Sequence, residues 1–143
     1  MNYKVVWKRM TTDLISAVAT QHRTLFGYKT IIPVETVTFF STDDEPEAHY
    51  LCAIINSNPV RDFIKSFSSA GRGFGTPSVM EHIGIPKFDL KIRYTKSLPK
   101  FPRCVTSSNA KAKKKKLKKL EKENDKLVKK LFGSFALCGA TYF

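Results

Sequence analysis

Three alternating glycines surround the side chain with the clearest binding chemistry in this sequence. Gly71, Gly73 and Gly75 flank Arg72 and Phe74. Glycine at every second position lets the backbone adopt positive φ and approach another surface closely. The pattern therefore predicts a flexible segment that presents one arginine to a ligand. A surface turn with a solvated arginine is the alternative that spacing alone leaves open.

The residues after this segment predict a short helix and then an extended stretch. Thr76 and Pro77 fit an N-cap and the first helical position. Gly84 and Pro86 prevent the helix from running far, because glycine favours a helix end and proline restricts the residue before it. Residues 83–88 are therefore predicted to be extended.

The cysteines and histidines do not form a pattern that indicates a metal site or a disulfide framework. An odd number of widely spaced cysteines fits neither paired zinc ligands nor disulfides, and each histidine stands alone; these residues are Cys52, Cys104, Cys138, His22, His49 and His82. No stretch approaches the roughly 20 apolar residues of a membrane helix, and the start of the chain does not resemble a secretory signal. We therefore expect a cytoplasmic protein with no metal.

Four segments of the first 40 residues have strand character. Tyr3–Trp7 is rich in β-branched and aromatic residues, and a strand so near the first residue indicates a larger parent chain. Leu14–Ala19 fits a strand or a short helix. Lys29–Pro33 and Glu35–Phe40 predict two strands of a hairpin or meander, with one face formed by Thr36, Thr38 and Phe40.

Helical patterns follow from residue 43 onward. The acidic residues of Asp43–Glu47 favour the positive end of a helix dipole, and apolar residues then recur at helical spacing. Asn58 and Pro59 predict the start of a second helix, with an apolar face formed by Val60, Phe63, Ile64 and Phe67.

Near its end the chain contains one long amphipathic pattern. The residues from Lys113 to Phe132 predict a helix that ends at Gly133. Heptad a and d positions are occupied by Leu117, Leu120, Asn124, Leu127 and Leu131. Two heptads are too few for an independent coiled coil, so this helix is expected to pack on another helix.

The net charge of +13 is confined to one part of the sequence. Residues 1–90 contain nine Lys and Arg against nine Asp and Glu, whereas residues 91–143 contain sixteen against three. The high isoelectric point therefore says nothing about partners of the first 90 residues.

With these patterns in view, several segments resemble a known family. The segments are GYKTIIP, EAHYLCAIINSNPVRDFI, SSAGRGFGTPSVMEHIGIPKFD and LEKENDKLVKKLFG. They resemble the C-terminal target-recognition region of adenine-specific DNA methyltransferases of type II restriction–modification systems. The resemblance implies an α+β fold, with a small mixed sheet and short helices followed by a C-terminal amphipathic helix.

The domain organisation implied by this resemblance has four parts. Residues 1–89 would form the DNA target-recognition domain, truncated at its N-terminus. Residues 90–111 would be an irregular basic linker, residues 112–133 a lysine-rich amphipathic helix, and residues 134–143 a tail.

Catalytic motifs of such methyltransferases are not found in this sequence. The glycines of residues 71–75 follow a predicted helix rather than a strand, so they do not form an S-adenosylmethionine loop. Residues 56–59 contain Asn-Pro without the second proline and the aromatic residue that hold a flipped adenine, and Asp43–Glu47 is a helix start. The chain is therefore expected to have no catalytic residue and to bind no cofactor. S-adenosylmethionine would be bound by the intact parent enzyme, through a methyltransferase catalytic domain or a separate chain.

The resemblance leaves recognition of double-stranded DNA as the expected role. Phosphate contacts position a protein on DNA, whereas arginine reads guanine through its bidentate fork. Arg72 is the first candidate for base contact, and candidate hydroxyl donors are Ser68, Ser69 and Thr76. Candidate phosphate contacts are Lys8, Arg9, Lys29 and Lys87.

Residues 90–111 depart from the family pattern in a way that suggests a lost base. These residues can be back-translated with suitable synonymous codons. When one C is placed before the first codon, the shifted reading frame encodes PKNPLHKKLAEISKMCHELKCK. That string restores an amphipathic helix on which the last helix would pack. We predict that one base was lost after the codon for Asp89 and that the frame was restored near Ala112, which would leave an exposed apolar seam on the last helix.

Two other interpretations remain open. The chain fits a piece of a type I restriction specificity subunit, although a lone copy with a short helix favours the type II family. It also fits a small basic RNA- or ribosome-associated protein, in which the lysine-rich helix would bind phosphates. The latter interpretation leaves the neutral first 90 residues without a role.

Overall fold

The computed structural model describes residues 2–67, 73, 75–89 and 110–135, and it confirms the α+β fold. In that part of the chain the strands are β1 (Tyr3–Lys8), β2 (Ser16–Thr20), β3 (His22–Thr24), β4 (Gly27–Lys29) and β5 (Val37–Thr42). The helices are α1 (Glu45–Ile55), α2 (Asn58–Phe67), α3 (Pro77–Met80) and α4 (Ala110–Phe135).

The central sheet has the strand order β2-β1-β5. Both of its pairings are antiparallel, with Val5 opposite Val18 on one side and Phe40 on the other, so the sheet is not mixed. Alternation along β1 buries Val5 and Trp7 and places Lys4 and Lys8 on the opposite face. The strand predicted from Tyr3 is thereby confirmed, and Leu14–Ala19 contributes to a strand rather than a helix.

The predicted strand Lys29–Pro33 is wrong beyond its first residue. Lys29 ends β4, which pairs with β3 rather than with β5. The next residues serve other contacts, because the carbonyl of Ile31 accepts a hydrogen bond from Lys4 Nζ (2.5 Å). Pro33 has no N–H to offer a sheet. β5 begins at Val37, whose N–H donates to the carbonyl of Val34 (2.9 Å) in a turn.

Helix α1 is the centre of the core. It begins after Asp44 and carries Glu45 and Glu47 in its first turn, as the acidic start signal predicts. Its residues from Tyr50 to Ile55 are all buried, because α1 lies between the sheet on one side and helices α2 and α4 on the other. The predicted helix starts at Asn58 and at Pro77 are also confirmed.

Helix α4 docks on this core through its C-terminal half. Val128 and Leu131 are completely buried in the same apolar cluster as Val5 and Ile54. Asn124 Nδ2 donates to the carbonyl of Ala53 (2.8 Å) at the end of α1. The expectation that α4 packs on a helix is confirmed by its contacts with α1 and α2.

Two expectations about α4 need correction. The helix does not end at Gly133 but continues to Phe135, and a Cβ at Gly133 would meet no atom within 4 Å. The heptad pattern also misses Val128, which lies in the core, whereas Leu117 is 37% exposed. The apolar seam of α4 was predicted to be exposed. It is exposed at Leu117, near the N-terminal end of the helix, and buried at Leu131. Helices α1 and α2 contact α4 in the described part of the chain.

Candidate nucleic-acid interface

Gly75 fixes the end of the glycine segment against the sheet. Its carbonyl accepts hydrogen bonds from Trp7 Nε1 (3.0 Å) and from Thr38 Oγ1 (3.1 Å). A Cβ built at position 75 would lie 1.9 Å from the carbonyl oxygen of Lys8. Only glycine permits this approach. The segment that begins after Phe67 is thus anchored beside the end of β1.

Thr76 closes the turn that leads into α3. Its Oγ1 donates to the carbonyl of Gly73 (2.9 Å), and its own carbonyl accepts from the N–H groups of Val79 and Met80 (3.1 Å each). Thr76 is the N-cap residue with an extended backbone, as predicted, but its hydroxyl does not cap α3. Because the hydroxyl proton is used within the turn, Thr76 would meet DNA only as an acceptor.

Arg9 lies in a cleft next to this anchor. The cleft has a volume of about 340 Å³. Its walls are formed by the residue after β1, the segment that precedes β5, β5 itself and the first residue of α3; they include Arg9, Val34, Glu35, Thr38, Phe39 and Pro77. The N–H of Arg9 donates to the carbonyl of Thr36 (3.0 Å), which fixes the backbone while the side chain stays exposed.

An exposed aromatic ring and two cations occupy the outer face of the sheet. Phe39 is 46% exposed, and Lys4 Nζ lies 5.7 Å from the centre of its ring. Lys8 is exposed on the same face of β1 as Lys4. An aromatic ring beside cations suits duplex DNA, because the cations contact phosphates and an aromatic side chain can contact the thymine methyl group in the major groove.

The structure brings some of the predicted contacts together and separates others. Lys8, Arg9 and Thr76 are neighbours through Gly75 and the cleft. Lys29 is exposed on β4, in a separate hairpin. Lys87 is exposed on the helical side of the core, because the adjacent Pro86 carbonyl accepts from Tyr50 Oη of α1 (2.6 Å).

Three predicted contacts, Arg72, Ser68 and Ser69, lie outside the described residues. Most of the linker predicted at 90–111 and most of the tail predicted at 134–143 lie outside them as well. The chain enters this glycine segment from the end of α2 at Phe67 and returns at Gly75.

Phe39 and Lys4 were missed by the sequence-based argument. The signal for Phe39 was present, because assigning Thr38 and Phe40 to one face of a strand places Phe39 on the other. Phe40 packs against the core, which confirms that assignment. Two adjacent phenylalanines cannot both point inward from one strand, so an exposed ring was to be expected.

The described residues were compared with the requirements of a metal site and of a reactive thiol. No group of three His, Cys, Asp or Glu residues is placed to hold a metal within the described ranges. Cys52 is buried, and burial raises the pKa of its thiol above the ordinary value, despite hydrogen bonds with Ser16 and Asn56 that lower it. A thiol held in its neutral form is a poor nucleophile.

Among the described helices, none is both long and apolar enough to cross a bilayer. No protein-family model matches the chain, and no curated protein or solved structure matches it either.

Proposed function

We propose that this chain recognises double-stranded DNA as the target-recognition part of a restriction–modification adenine-N6 DNA methyltransferase. The observation that carries the proposal is the junction beside β1, where Gly75 holds the glycine segment next to Lys8, Arg9 and the Phe39 cleft. Arg72 belongs to the same segment of the sequence. In this proposal Arg72 reads a base, while Lys8 and Arg9 contact phosphates.

Charge balance indicates how such an interface would act. The first 90 residues have equal numbers of positive and negative side chains, so they offer no general attraction to a polyanion. Binding by this part would depend on a few local contacts, such as those of Lys8 and Arg9. Each phosphate neutralised contributes a slope of about −0.9 to the dependence of log K on log salt concentration.

Chemistry would be supplied by a partner. A methyltransferase catalytic domain or chain would bind S-adenosylmethionine and transfer the methyl group, and this chain would set the DNA site on which it acts. Such a complex works on DNA in the cytoplasm, where the buried, reduced Cys52 is compatible with the redox conditions. In this scheme the chain is not catalytic by itself.

A second candidate function is supported by the surface of α4. Its exposed lysines form a strip of positive charge; they are Lys118, Lys119, Lys122, Lys126, Lys129 and Lys130. This strip favours a basic protein that binds RNA or the ribosome through phosphates, without regard to sequence. The two functions predict different responses to mutation, because the strip and the Arg9 cleft use different residues.

Fluorescence anisotropy with labelled duplex DNA separates the two. Arg9→Gln should weaken binding of the full chain and lower the salt slope by about 1. Lys65→Gln is the matched control, since Lys65 is also exposed but lies on α2, away from the sheet. If replacing the six α4 lysines by glutamine abolishes binding while Arg9→Gln has no effect, the DNA-recognition proposal fails.

Arg72 is tested in the assembled enzyme. When the chain is fused to a catalytic partner, Arg72→Ala should reduce methylation of the preferred site while S-adenosylmethionine binding is unchanged. A good bidentate contact with guanine is worth about 1–3 kcal/mol, which corresponds to roughly a 5- to 150-fold loss of discrimination. Equal methylation by the variant would remove Arg72 from the interface.

A further inference from the structure

The β3–β4 hairpin carries two large apolar side chains at its tip. Leu25 is 100% exposed and Phe26 is 93% exposed. In the described part of the chain, β3 and β4 pair only with each other, and all three residues of β4 are exposed. The hairpin is therefore a narrow two-stranded ribbon with an apolar end.

The stability of the fold does not explain why the two residues at this tip are apolar. Thr24 pairs with Gly27, which leaves Leu25 and Phe26 as a two-residue turn. The turn is stabilised by the Thr24 Oγ1 hydrogen bond to the Gly27 carbonyl (2.8 Å) and by the positive φ of Gly27 (109°). Neither interaction needs an apolar side chain, and turns of this length favour Asn-Gly or Asp-Gly. An exposed Leu-Phe pair contributes no burial to stability.

The charge of the surrounding sequence matches a polyanion. No Asp or Glu occurs from Leu14 to Val34, a stretch that includes the whole hairpin. The same stretch contains Arg23 on β3 and Lys29 on β4, and the Lys29 side chain is exposed. An apolar end on an acid-free stem suits a strongly anionic partner with an apolar interior. Duplex DNA, with stacked bases between two phosphate backbones, has that structure.

We propose that Leu25 and Phe26 insert as a wedge between neighbouring base pairs of the bound duplex from the minor groove. The inference rests on the proposed DNA-recognition function and assigns a second contact element to it, separate from the Arg9 cleft. Proteins that bend DNA use leucine and phenylalanine in this way, and each inserted side chain unstacks a base step and kinks the duplex. The apolar surface of the hairpin also includes Tyr28, which is 71% exposed, and a protein partner for that surface is an outcome that the test below distinguishes.

The wedge is tested by base unstacking measured separately from binding. Short duplexes of the best-bound sequence would carry 2-aminopurine at successive adenine positions, because its fluorescence rises when the base is unstacked. Saturation with the full chain should increase the signal at one or two adjacent steps. Leu25→Ala combined with Phe26→Ala should abolish this increase and lower affinity by about tenfold or less, since unstacking itself costs binding energy.

Ile32→Ala is the matched control, because Ile32 is also largely exposed (82%) but lies outside the hairpin. It should leave the 2-aminopurine signal unchanged. All three side chains are exposed, so the variants should fold, as checked by the emission of Trp7. Energy transfer between dyes at the two ends of the duplex measures bending of the DNA independently. The unmodified chain should kink the duplex by about 20–90°, and the double variant should not.

The outcomes distinguish the wedge from the proposed function. If anisotropy shows saturable binding with no 2-aminopurine response at any position, the wedge is refuted while DNA recognition stands. If the double variant unstacks and binds the duplex as well as the unmodified chain, the wedge is also refuted while DNA recognition stands. If the full chain binds no duplex at all, both proposals fail.

Discussion

Replacement of Gly75 by alanine tests the junction that positions the candidate interface. The new Cβ would lie 1.9 Å from the Lys8 carbonyl oxygen, 2.9 Å from the Lys8 carbonyl carbon and 3.0 Å from Trp7 Cδ1. Two of these three atoms belong to the backbone of β1, which rotation of a side chain cannot move. The glycine segment must therefore separate from the sheet.

The expected loss of stability follows from the hydrogen bonds at this carbonyl. Separation would break the bonds from Trp7 Nε1 and Thr38 Oγ1. A buried donor left without a partner costs about 1–3 kcal/mol, and a part-buried hydroxyl bond contributes about 1 kcal/mol. The sum is about 2–4 kcal/mol. For a chain of this size it should lower Tm by about 10 °C.

Thermal unfolding followed by tryptophan emission is the direct assay. Trp7 is the one tryptophan of the chain and is 5% exposed, so its emission reports on this junction. Gly75→Ala should lower Tm, shift the folded-state emission to longer wavelength and weaken DNA binding. Gly133→Ala is the control. It places a Cβ in open space within α4 and should raise stability by up to about 1 kcal/mol. An unchanged Tm for Gly75→Ala would refute the reasoning.

Three other substitutions test how the core supports this site. Asp125→Ala removes the acceptor of the Asn58 N–H (2.9 Å) and Nδ2 (2.6 Å) at the start of α2, and chemical denaturation should show a loss of about 1–2 kcal/mol; no loss would mean that α4 does not cap α2. Asn124→Ala removes the bond to the Ala53 carbonyl (2.8 Å) and should cost about 1–3 kcal/mol in urea, whereas a neutral effect would contradict the docking of α4. Burial raises the pKa of the Cys52 thiol in the folded chain. The buried neutral thiol therefore contributes its full stabilisation below the unfolded thiol pKa of about 8.5, and this contribution declines as the pH rises towards the pKa of the folded state. The stability difference between the unmodified chain and Cys52→Ala should therefore shrink at alkaline pH, and a constant difference would contradict the assignment.

Local patterns predicted the elements whose signals lie within a few adjacent residues. The acidic start of α1, Asn58 at the start of α2 and the Thr76–Pro77 start of α3 are all read from side-chain chemistry within one turn. Gly133 shows the limit of such a signal, because packing of Leu131 in the core carries α4 past it.

The candidate interface depended on contacts that no local pattern contains. The hydrogen bonds that Trp7 and Thr38 donate to the Gly75 carbonyl join residues 68 and 37 positions apart, and together they hold Gly75 beside Lys8. The β3–β4 hairpin was missed for a different reason. Its strands have three residues each and its turn is Leu-Phe, so neither alternation nor a typical turn pair indicated it.

Selection from duplex DNA randomised over a central stretch tests the central claim most directly. The full chain should enrich one discrete motif, and the enrichment should be lost with Arg9→Gln or Gly75→Ala and retained with Lys65→Gln. Binding that enriches no sequence, or that enriches the same sequences after both interface substitutions, would contradict the assignment of this chain to DNA target recognition.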